Sequence, residues 1–429
     1  MLLKKYKINF FILLLILFLT SIFLVSQTDA VSVGELKNNI LDRNNKLKDI
    51  QKEIDEYEAE INSLGKEKKT LDNEIKKLNV TEKKLQADIR YTEGQIDETS
   101  LSIDELIIEI EQKRKDIERR KEAIAEIVKN LNEDESMSMI EMVLINNNFS
   151  DFFSDLERLE NFQETMSINL EKLGEFKIEL EVQKDDKEEN KAKLEGMQAK
   201  YKDQNSLVSI NKTKKTTLLD QTKNKESNYK QLLSDRMKQK EALEEEIKDF
   251  EDKLRVEIDP TSLPLVGPGV LKWPIDNVRI TQYFGNTPFA TKNPQVYNGG
   301  GHNGVDFGAS IGTPLKSAEK GVVVGVGDTD IGCVGVSYGR WILIEHPNNL
   351  TTLYAHLSLI KVSKGQEVSV GQVIGYSGDT GYTTGPHLHF TVYATQAVEV
   401  GTITSKVCGT KMTLPLAPRE WYLNPLSYL

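Results

Sequence analysis

Aliphatic side chains recur at intervals of seven residues along the first third of the chain. The series that begins at Ile40 and ends at Leu131 has fourteen positions, of which twelve are aliphatic and two are Lys68 and Glu82. A heptad repeat sustained over about 90 residues is typical of a coiled coil and is much longer than an ordinary globular helix. We therefore predict that this region is the first arm of a coiled coil.

A second helical stretch of similar length follows a break in the repeat. The repeat stops at the polar residues 132–136, an apolar and irregular segment follows, and residues 162–256 again have helical spacing. Two similar arms around a central break favour an antiparallel hairpin over residues 33–256, with its tip near residues 132–162. The alternative is a parallel dimer of one continuous rod.

The composition changes abruptly after the second arm. All 12 prolines lie at or beyond Pro260, and 23 of the 28 glycines lie in the last 170 residues. Short β-prone runs alternate there with glycine-containing turns, which is typical of an antiparallel sheet. We predict a linker over residues 257–270 and an all-β domain over residues 271–429. The chain is thus multidomain: a long antiparallel α-helical coiled-coil hairpin followed by an all-β, antiparallel-sheet domain.

The first thirty residues have the features of an export signal. Three lysines precede an uncharged apolar run over residues 8–25, and small and polar residues end this run. A basic flank, an apolar core and a small-residue exit define a signal peptide, although the run also suits a retained membrane anchor. We expect residues 1–30 to be one of these two, and the rest of the chain to lie outside the cytoplasm.

The net charge argues against a nucleic-acid partner. The chain has 55 Lys and Arg against 66 Asp and Glu, which gives a net charge of -11 and a pI near 5.3. Binding to nucleic acid through an overall cationic field is therefore excluded, and we expect no nucleic-acid partner.

Four histidines and one aspartate form a pattern that suits a metal site. They are His302 and Asp306 in GGGHNGVDFG, His356 in YAHL, and His387 and His389 in GPHLHF. Because residues two apart on a strand face the same side, His387 and His389 should project into one cleft. Three ligands of nitrogen and oxygen type suit a catalytic Zn²⁺ with its fourth position open to water.

The region from residue 273 to the end of the chain resembles the lysostaphin/LytM-type zinc metallopeptidases. The resemblance is carried by GHNGVDFGASIGTPLKSAEKGVVVGVG, IEHPNNLTTLYAHLS and GPHLHF. Two segments depart from the family pattern, DTDIGCVGVSYG at residues 328–339 and FATKNPQVYNGG at residues 289–300. We expect both segments to shape the substrate groove.

The resemblance implies a role for each residue of the pattern. His302, Asp306 and His389 would be zinc ligands, and His356 and His387 would be the unligated catalytic pair. In that family the scissile bond is a peptide bond of peptidoglycan. The resemblance therefore implies a zinc-dependent peptidoglycan endopeptidase that acts in cell-wall remodelling or cell separation.

Two other functions are compatible with this architecture. One is a non-catalytic activator of murein hydrolases, as in relatives whose zinc ligands have decayed, but this chain keeps every ligand of the motif. The other is an envelope scaffold that retains an ancestral site. Metal content and peptidoglycan cleavage distinguish these alternatives from a zinc endopeptidase.

The segment IEMVLINNNFSDFFSDLERLENF resembles the tip of exported coiled-coil proteins that control cell-wall cleavage at bacterial division. This resemblance implies an FtsEX-type membrane partner at the tip, whereas a plain helical cap is the simpler alternative. The second arm enters the β domain through a short linker, so part of it could lie across the zinc cleft. We therefore hypothesise that the coiled coil inhibits the site until a partner binds.

The sequence also leads to expectations for four further residues. Cys333 and Cys408 are the only cysteines, and an even count in an exported domain favours a disulfide. His346, which precedes Pro347, is expected to have a structural role at a hairpin turn. Tyr297 is either a weak candidate for stabilising an oxyanion or an ordinary loop aromatic.

Overall fold

The computed structural model describes residues 33–67, 69–134, 149–252, 266–292 and 301–429. The signal or anchor predicted at residues 1–30 lies outside the described residues. So do most of the predicted linker and residues 135–148 of the predicted tip. Within the described ranges, no helix combines the length and the hydropathy of a membrane span.

Long helices make up the described N-terminal part. They are α1 (Val33–Lys66), α2 (Leu71–Asp134), α3 (Phe149–Thr222) and α4 (Glu226–Glu251). The chain divides into two compact units, and each unit contains parts of these helices. The first unit is formed by Met1–Lys46 and Gly94–Gly196, and the second by Leu47–Glu93 and Met197–Leu429.

Helices α1 and α2 are separate and antiparallel, so the heptad repeat from Ile40 to Leu131 is divided between two helices. In the second unit, Arg90 lies 2.5 Å from Glu53, and Lys84 lies 3.4 Å from Glu58. The end of α1 therefore faces the start of α2. The break lies between Lys66, which ends α1, and Leu71, which begins α2. In this interval the sequence has a lysine, Lys68, at the heptad position where the repeat requires an aliphatic residue.

Helices α2 and α3 run antiparallel within each unit. In the first unit, Lys113 lies 2.5 Å from Glu179. Buried apolar residues support that pairing: Ile110, Ile117 and Leu180. In the second unit, the Asn211 side-chain amide donates to the Leu78 carbonyl at 2.9 Å.

The second predicted arm is interrupted between α3 and α4. Lys223 and Asn224 have φ values of 48° and 53°, which lie in the left-handed region that commonly ends helices. The Asn228 side chain donates to the Thr222 carbonyl at 2.9 Å and so satisfies one orphaned group at the end of α3. α4 is therefore a separate helix that can pack independently of α3.

The rest of the second unit is an antiparallel β domain, as predicted. Its elements are β1 (Ile280–Gln282), α5 (Pro288–Lys292), β2 (Val305–Gly308), β3 (Pro314–Lys316), β4 (Gly321–Asp328), β5 (Arg340–Glu345), β6 (Leu350–Ile360), β7 (Glu367–Val368), β8 (Val373–Ser377), β9 (His387–Ala394), β10 (Glu399–Thr404), β11 (Lys411–Leu416) and β12 (Tyr422–Leu423). The main sheet has the order β1-β2-β9-β6-β5-β4-β7, with β12 on β9, β8 on β6 and β3 on β8. β10 and β11 form a separate hairpin.

The centre of the main sheet is buried on both faces. One face packs a cluster that includes Phe307, Ile342, Tyr354, Phe390 and Val392. The other face packs a cluster that includes Trp341, Leu343, Leu353, Ala355 and Tyr393. Two-sided burial fixes the register of β5, β6 and β9, because a shift by one residue would exchange the two faces.

A disulfide between Cys333 and Cys408 ties the β10–β11 hairpin to the insertion at residues 328–339, which confirms the predicted bond. The Cα atoms of the two cysteines are 5.6 Å apart. Leu243 and Ile247 of α4 are buried in the same cluster as Cys333 and several hairpin residues. The disulfide therefore supports the surface on which α4 packs.

Removal of this disulfide should destabilise the β domain. We expect the paired substitution Cys333→Ser and Cys408→Ser to lower the free energy of unfolding by roughly 2–4 kcal/mol, because the bond closes a long loop in the unfolded chain. Urea titration measures this loss. Thiol labelling of the unreduced, denatured wild type should be negative, and labelling of both cysteines in exported protein would contradict the bond.

Candidate active site

The register of three strands brings the predicted ligands together. Asp306 on β2 is paired with His389 on β9, and His389 is also paired with Ala355 on β6. His302 precedes β2 and forms an isolated bridge with Gly285. As a result, His302, Asp306 and His389 are buried, and their ligand atoms all lie within 4.8 Å of one another.

The three candidate ligand atoms lie within 3.2 Å of one another. His302 Nε2 lies 3.1 Å from His389 Nδ1 and 3.2 Å from Asp306 Oδ1, and His389 Nδ1 lies 2.9 Å from that oxygen. The outer nitrogens have other partners: His302 Nδ1 donates to the Tyr283 carbonyl at 2.9 Å, and His389 Nε2 lies 3.0 Å from the Thr391 hydroxyl. With both outer nitrogens protonated, the inner lone pairs face each other and the carboxylate. This donor set fits a metal ion.

The ionisation of the carboxylate suits this arrangement. Burial alone would raise the pKa of Asp306, but the imidazoles of His387, His302 and His389 outweigh it and hold the pKa well below its ordinary value. Burial lowers the pKa of His389. An anionic aspartate and a neutral imidazole are the ligand forms that metals bind.

The two other histidines of the motif lie beside this cluster. The rings of His356 and His387 are 4.7 Å apart between centroids, and His356 is 5.8 Å from His389. His356 Nδ1 donates to the Thr380 carbonyl, and His387 Nδ1 donates to the Gly385 carbonyl, each at 2.8 Å. Each ring therefore has Nε2 as its basic nitrogen.

His356 is held in an unusual backbone conformation. Its φ is 63°, in the left-handed region that non-glycine residues rarely occupy, and its N–H donates to the Tyr338 carbonyl at 2.9 Å. Burial, followed by the charges of His387 and His389, lowers the pKa of His356 well below its ordinary value. A neutral imidazole in this position can accept a proton.

The five motif residues line a cavity of about 340 Å³. Helix α4 contributes five side chains to the lining of the same cavity: Lys240, Glu244, Ile247, Lys248 and Glu251. The loop before β9 contributes residues 382–386. α4 therefore forms one wall of the candidate site, at a place compatible with the hypothesis that the second arm lies across the cleft.

Several residues that lie at the site were not predicted from the sequence. Thr391 follows His389 by two positions on one strand, so the pattern His-x-His-x-Thr was a usable signal. Tyr338 lines the cavity and belongs to the insertion that we expected to shape the groove, and its hydroxyl accepts from the Asn303 amide at 3.2 Å. No local sequence pattern indicates that the side chains of α4 line the cavity.

Two further residues with expectations from the sequence are His346 and Tyr297. His346 is buried at the turn between β5 and β6, where its ring nitrogens contact the Lys320 carbonyl at 2.9 Å and the Thr352 hydroxyl at 2.8 Å. The predicted structural role is therefore confirmed. Tyr297 lies outside the described residues.

Comparison with known proteins places this domain in a family. Residues 300–400 match peptidase family M23. The peptidoglycan DD-endopeptidase ShyA of Vibrio cholerae is 48% identical over 89 residues, which cover 21% of this chain and 19% of ShyA. The glycyl-glycine endopeptidase ALE-1 of Staphylococcus capitis is 44% identical over 97 residues, which cover 23% of this chain and 26% of ALE-1. The chain therefore spans about a quarter or less of the length of these relatives.

A solved structure is also similar to part of this chain. The catalytic domain of lysostaphin from Staphylococcus simulans is 31% identical to this chain, and the match covers 35% of this chain and 90% of that domain with a TM-score of 0.26. The family match, taken without that structure, identifies residues 300–400 as a peptidase family M23 domain, as the sequence resemblance implied.

The five motif residues should separate into two groups when each is changed to alanine. His302→Ala, Asp306→Ala and His389→Ala should lose bound metal and peptidase activity together, because each removes a converging ligand. His356→Ala and His387→Ala should keep the metal and lose activity by at least about a hundredfold, because they remove proton transfer. Elemental analysis and a cleavage assay on the purified variants measure both properties.

A matched control is His346→Ala, which removes a buried histidine outside the cluster. It should alter stability and leave the metal content unchanged. Full metal occupancy in the Asp306 variant, or none in the His356 variant, would contradict the assignment.

Proposed function

We propose that the β domain is a zinc-dependent endopeptidase that cleaves peptide bonds in bacterial peptidoglycan. The observation that carries this proposal is the convergence of two imidazole nitrogens and one carboxylate oxygen within 3.2 Å, beside two further imidazoles. Zinc suits such nitrogen and oxygen donors, and a site with three protein ligands keeps a position open for catalysis. Both cysteines are bonded to each other and supply no thiolate.

The chemistry divides between the ion and the protein. A zinc ion at His302, Asp306 and His389 would supply Lewis-acid chemistry, which lowers the pKa of water and polarises a carbonyl. His356 and His387 would move protons at their Nε2 atoms, since both Nδ1 atoms donate to carbonyls. These two imidazoles accept the proton of the attacking water and return a proton to the leaving amine.

The family and the relatives support peptidoglycan as the substrate. ShyA and ALE-1 are named as endopeptidases, one for peptidoglycan and the other for glycyl-glycine bonds. Of the two segments that differ from the family pattern, the one at residues 328–339 contributes Ser337 and Tyr338 to the lining of the cavity. We therefore expect the type of bond that is cleaved to depend on this chain's own residues. A peptidoglycan substrate, a disulfide and an export signal are mutually consistent with a location outside the cytoplasm.

We also propose that the coiled coil regulates the peptidase, with α4 as a cover over the cleft. Glu246 on α4 accepts hydrogen bonds from the Ser405 hydroxyl at 2.6 Å and from the backbone N–H groups of Lys406 and Val407 at 2.9 Å and 3.2 Å. The Lys240 ammonium lies 4.6 Å from the centre of the Tyr382 ring. In this position α4 restricts the approach of a peptide to His302, Asp306 and His389. The predicted FtsEX-type partner at the tip would act by favouring the undocked state.

Weakening the docking of α4 should raise the activity of the full chain. We expect the double variant Leu243→Asp and Glu246→Ala to cleave a soluble cross-linked muropeptide roughly tenfold faster or more. The variant places a charge in an apolar cluster and removes charged hydrogen bonds that each contribute about 1.5–3 kcal/mol. Glu245→Ala, which changes an exposed neighbour on α4, is the matched control and should have the wild-type rate.

If the double variant cleaves the substrate at the wild-type rate, this contradicts the proposal that α4 covers the cleft. No cleavage by any form with zinc bound would contradict the endopeptidase itself. A soluble substrate is chosen because it removes the problem of access to an intact wall.

The docking of α4 should also depend on pH through Glu251. This carboxyl accepts from the Tyr422 hydroxyl, and burial raises its pKa from 4.5 to about 7, against the opposing effects of Tyr422, Arg419 and the Ala417 N–H. Because the docked state favours the protonated form, docking should be strongest below about pH 4.5 and should weaken as the pH rises to about 7.

Hydrogen exchange of residues 226–251, corrected for the intrinsic effect of pH, measures this dependence. The wild type should lose protection in α4 between pH 5 and pH 7.5, and Glu251→Gln should have nearly constant protection over that range because it cannot ionise. Equal pH dependence in both proteins would contradict the role of Glu251.

A further inference from the structure

Two lysines from different helices bind one carboxylate at the edge of the candidate active site. Asp379 belongs to the β8–β9 loop (residues 378–386), and its Oδ2 lies 2.9 Å from Lys214 Nζ on α3 and 3.5 Å from Lys77 Nζ on α2. Lys214 also donates to the Asp379 carbonyl at 3.0 Å. The second unit contains all of these contacts.

Two of the three charged side chains in this contact are buried. The side chains of Asp379 and Lys77 are each 9% exposed. Burial alone would raise the pKa of Asp379, but Lys214 and Lys77 outweigh it and hold the pKa far below its ordinary value. The Thr383 hydroxyl, from the same loop, donates to the other carboxylate oxygen. The lysines are therefore the groups that keep this loop aspartate ionised in a buried place.

The residue next to Asp379 holds a candidate catalytic imidazole. The Thr380 carbonyl accepts from His356 Nδ1 at 2.8 Å, and this hydrogen bond leaves Nε2 as the basic nitrogen. The Thr380 hydroxyl donates to the Leu357 carbonyl at 2.8 Å and accepts from the Arg340 N–H at 3.0 Å. A displacement of Thr380 would therefore change both the orientation and the tautomer of His356.

The β8–β9 loop packs tightly against the insertion at residues 328–339. A Cβ atom on Gly381 would lie 2.3 Å from the Gly339 nitrogen, so these two backbone segments are in direct contact. The Tyr382 N–H donates to the Ser337 carbonyl at 2.9 Å. The loop is therefore packed against the insertion at Gly381 and Tyr382, and the two lysines fix it at a separate residue, Asp379.

We propose that Lys77 and Lys214 are positioning residues for catalysis: through Asp379 they hold the β8–β9 loop and with it the His356 imidazole. This inference rests on the proposed endopeptidase function. It assigns opposite effects to two parts of the helical region. The parts of α2 and α3 that contact Asp379 complete the active site, whereas α4 covers it.

Another contact between a helix and the β domain provides a matched control. Lys361, which follows β6, lies 2.5 Å from Asp203 on α3, and the Tyr376 hydroxyl donates to Asp203 at 2.9 Å. This pair also joins α3 to the β domain, but it does not involve the β8–β9 loop. A role in docking alone would make Lys361 and Lys214 equivalent, whereas a positioning role would separate them.

The test uses the full chain carrying Leu243→Asp and Glu246→Ala, so that the cover does not limit the rate. In this background we expect Lys214→Met to lower kcat on the order of tenfold to a hundredfold, with KM and bound zinc unchanged. Lys214→Arg should restore most of kcat because it keeps the charge. Lys77→Met should act in the same direction as Lys214→Met, and Lys361→Met should leave kcat unchanged.

A second measurement does not depend on turnover. Nitrogen-15 NMR of the histidine rings should show His356 protonated at Nδ1 in the background protein and in Lys361→Met, and a loss of this tautomer preference in Lys214→Met. Equal kcat in the Lys214 and Lys361 variants, or an unchanged tautomer in Lys214→Met, would overturn the inference. If the background protein binds zinc and does not turn over, the proposed function fails, and the tautomer alone decides the positioning role.

Discussion

The antiparallel pairing of β2 with β9 is the constraint on which the candidate site depends. It sets Asp306 opposite His389, and the alternation of β9 places His387, His389 and Thr391 on one face. Leu388, Phe390 and Val392 are buried in the main cluster on the opposite face. A shift of one residue would exchange these two sets, so the packing of the apolar set fixes the position of the ligand set. The convergence of the three candidate ligands is thus a consequence of a well-packed sheet.

The helical region contacts the candidate site at two separate places. At one place α4 rests on a hairpin that the disulfide supports, and its residues line the cavity. At the other, lysines of α2 and α3 meet Asp379 beside the residue that binds His356. In the proposals made above, one helical region both restricts access to the site and holds its catalytic geometry. Release of α4 alone leaves the second contact intact, whereas deletion of the whole helical region removes both.

The sequence predicted those features whose determinants are local in the chain. The His302 and Asp306 spacing, the pair at His387 and His389, and the short β-prone runs each depend on neighbouring residues, and the structure brings these residues together. The break between α1 and α2 was missed because a regular heptad series continues on either side of Lys68. The contact between Lys77 and Asp379 joins positions 302 residues apart, and no local pattern encodes it. From the sequence, the position of α4 at the cavity could likewise only be hypothesised, because it depends on the packing of segments that are distant in the chain.

The central claim is that His302, Asp306 and His389 hold a catalytic zinc ion, and X-ray absorption at the zinc edge tests it most directly. The protein loaded with one equivalent of zinc should give a first shell of nitrogen and oxygen at about 2.0–2.2 Å, with the outer scattering of two imidazole rings and no sulfur. The Asp306→Ala protein should lose this signal. A shell that contains sulfur, or a wild-type protein that binds no zinc at one equivalent, would contradict the account.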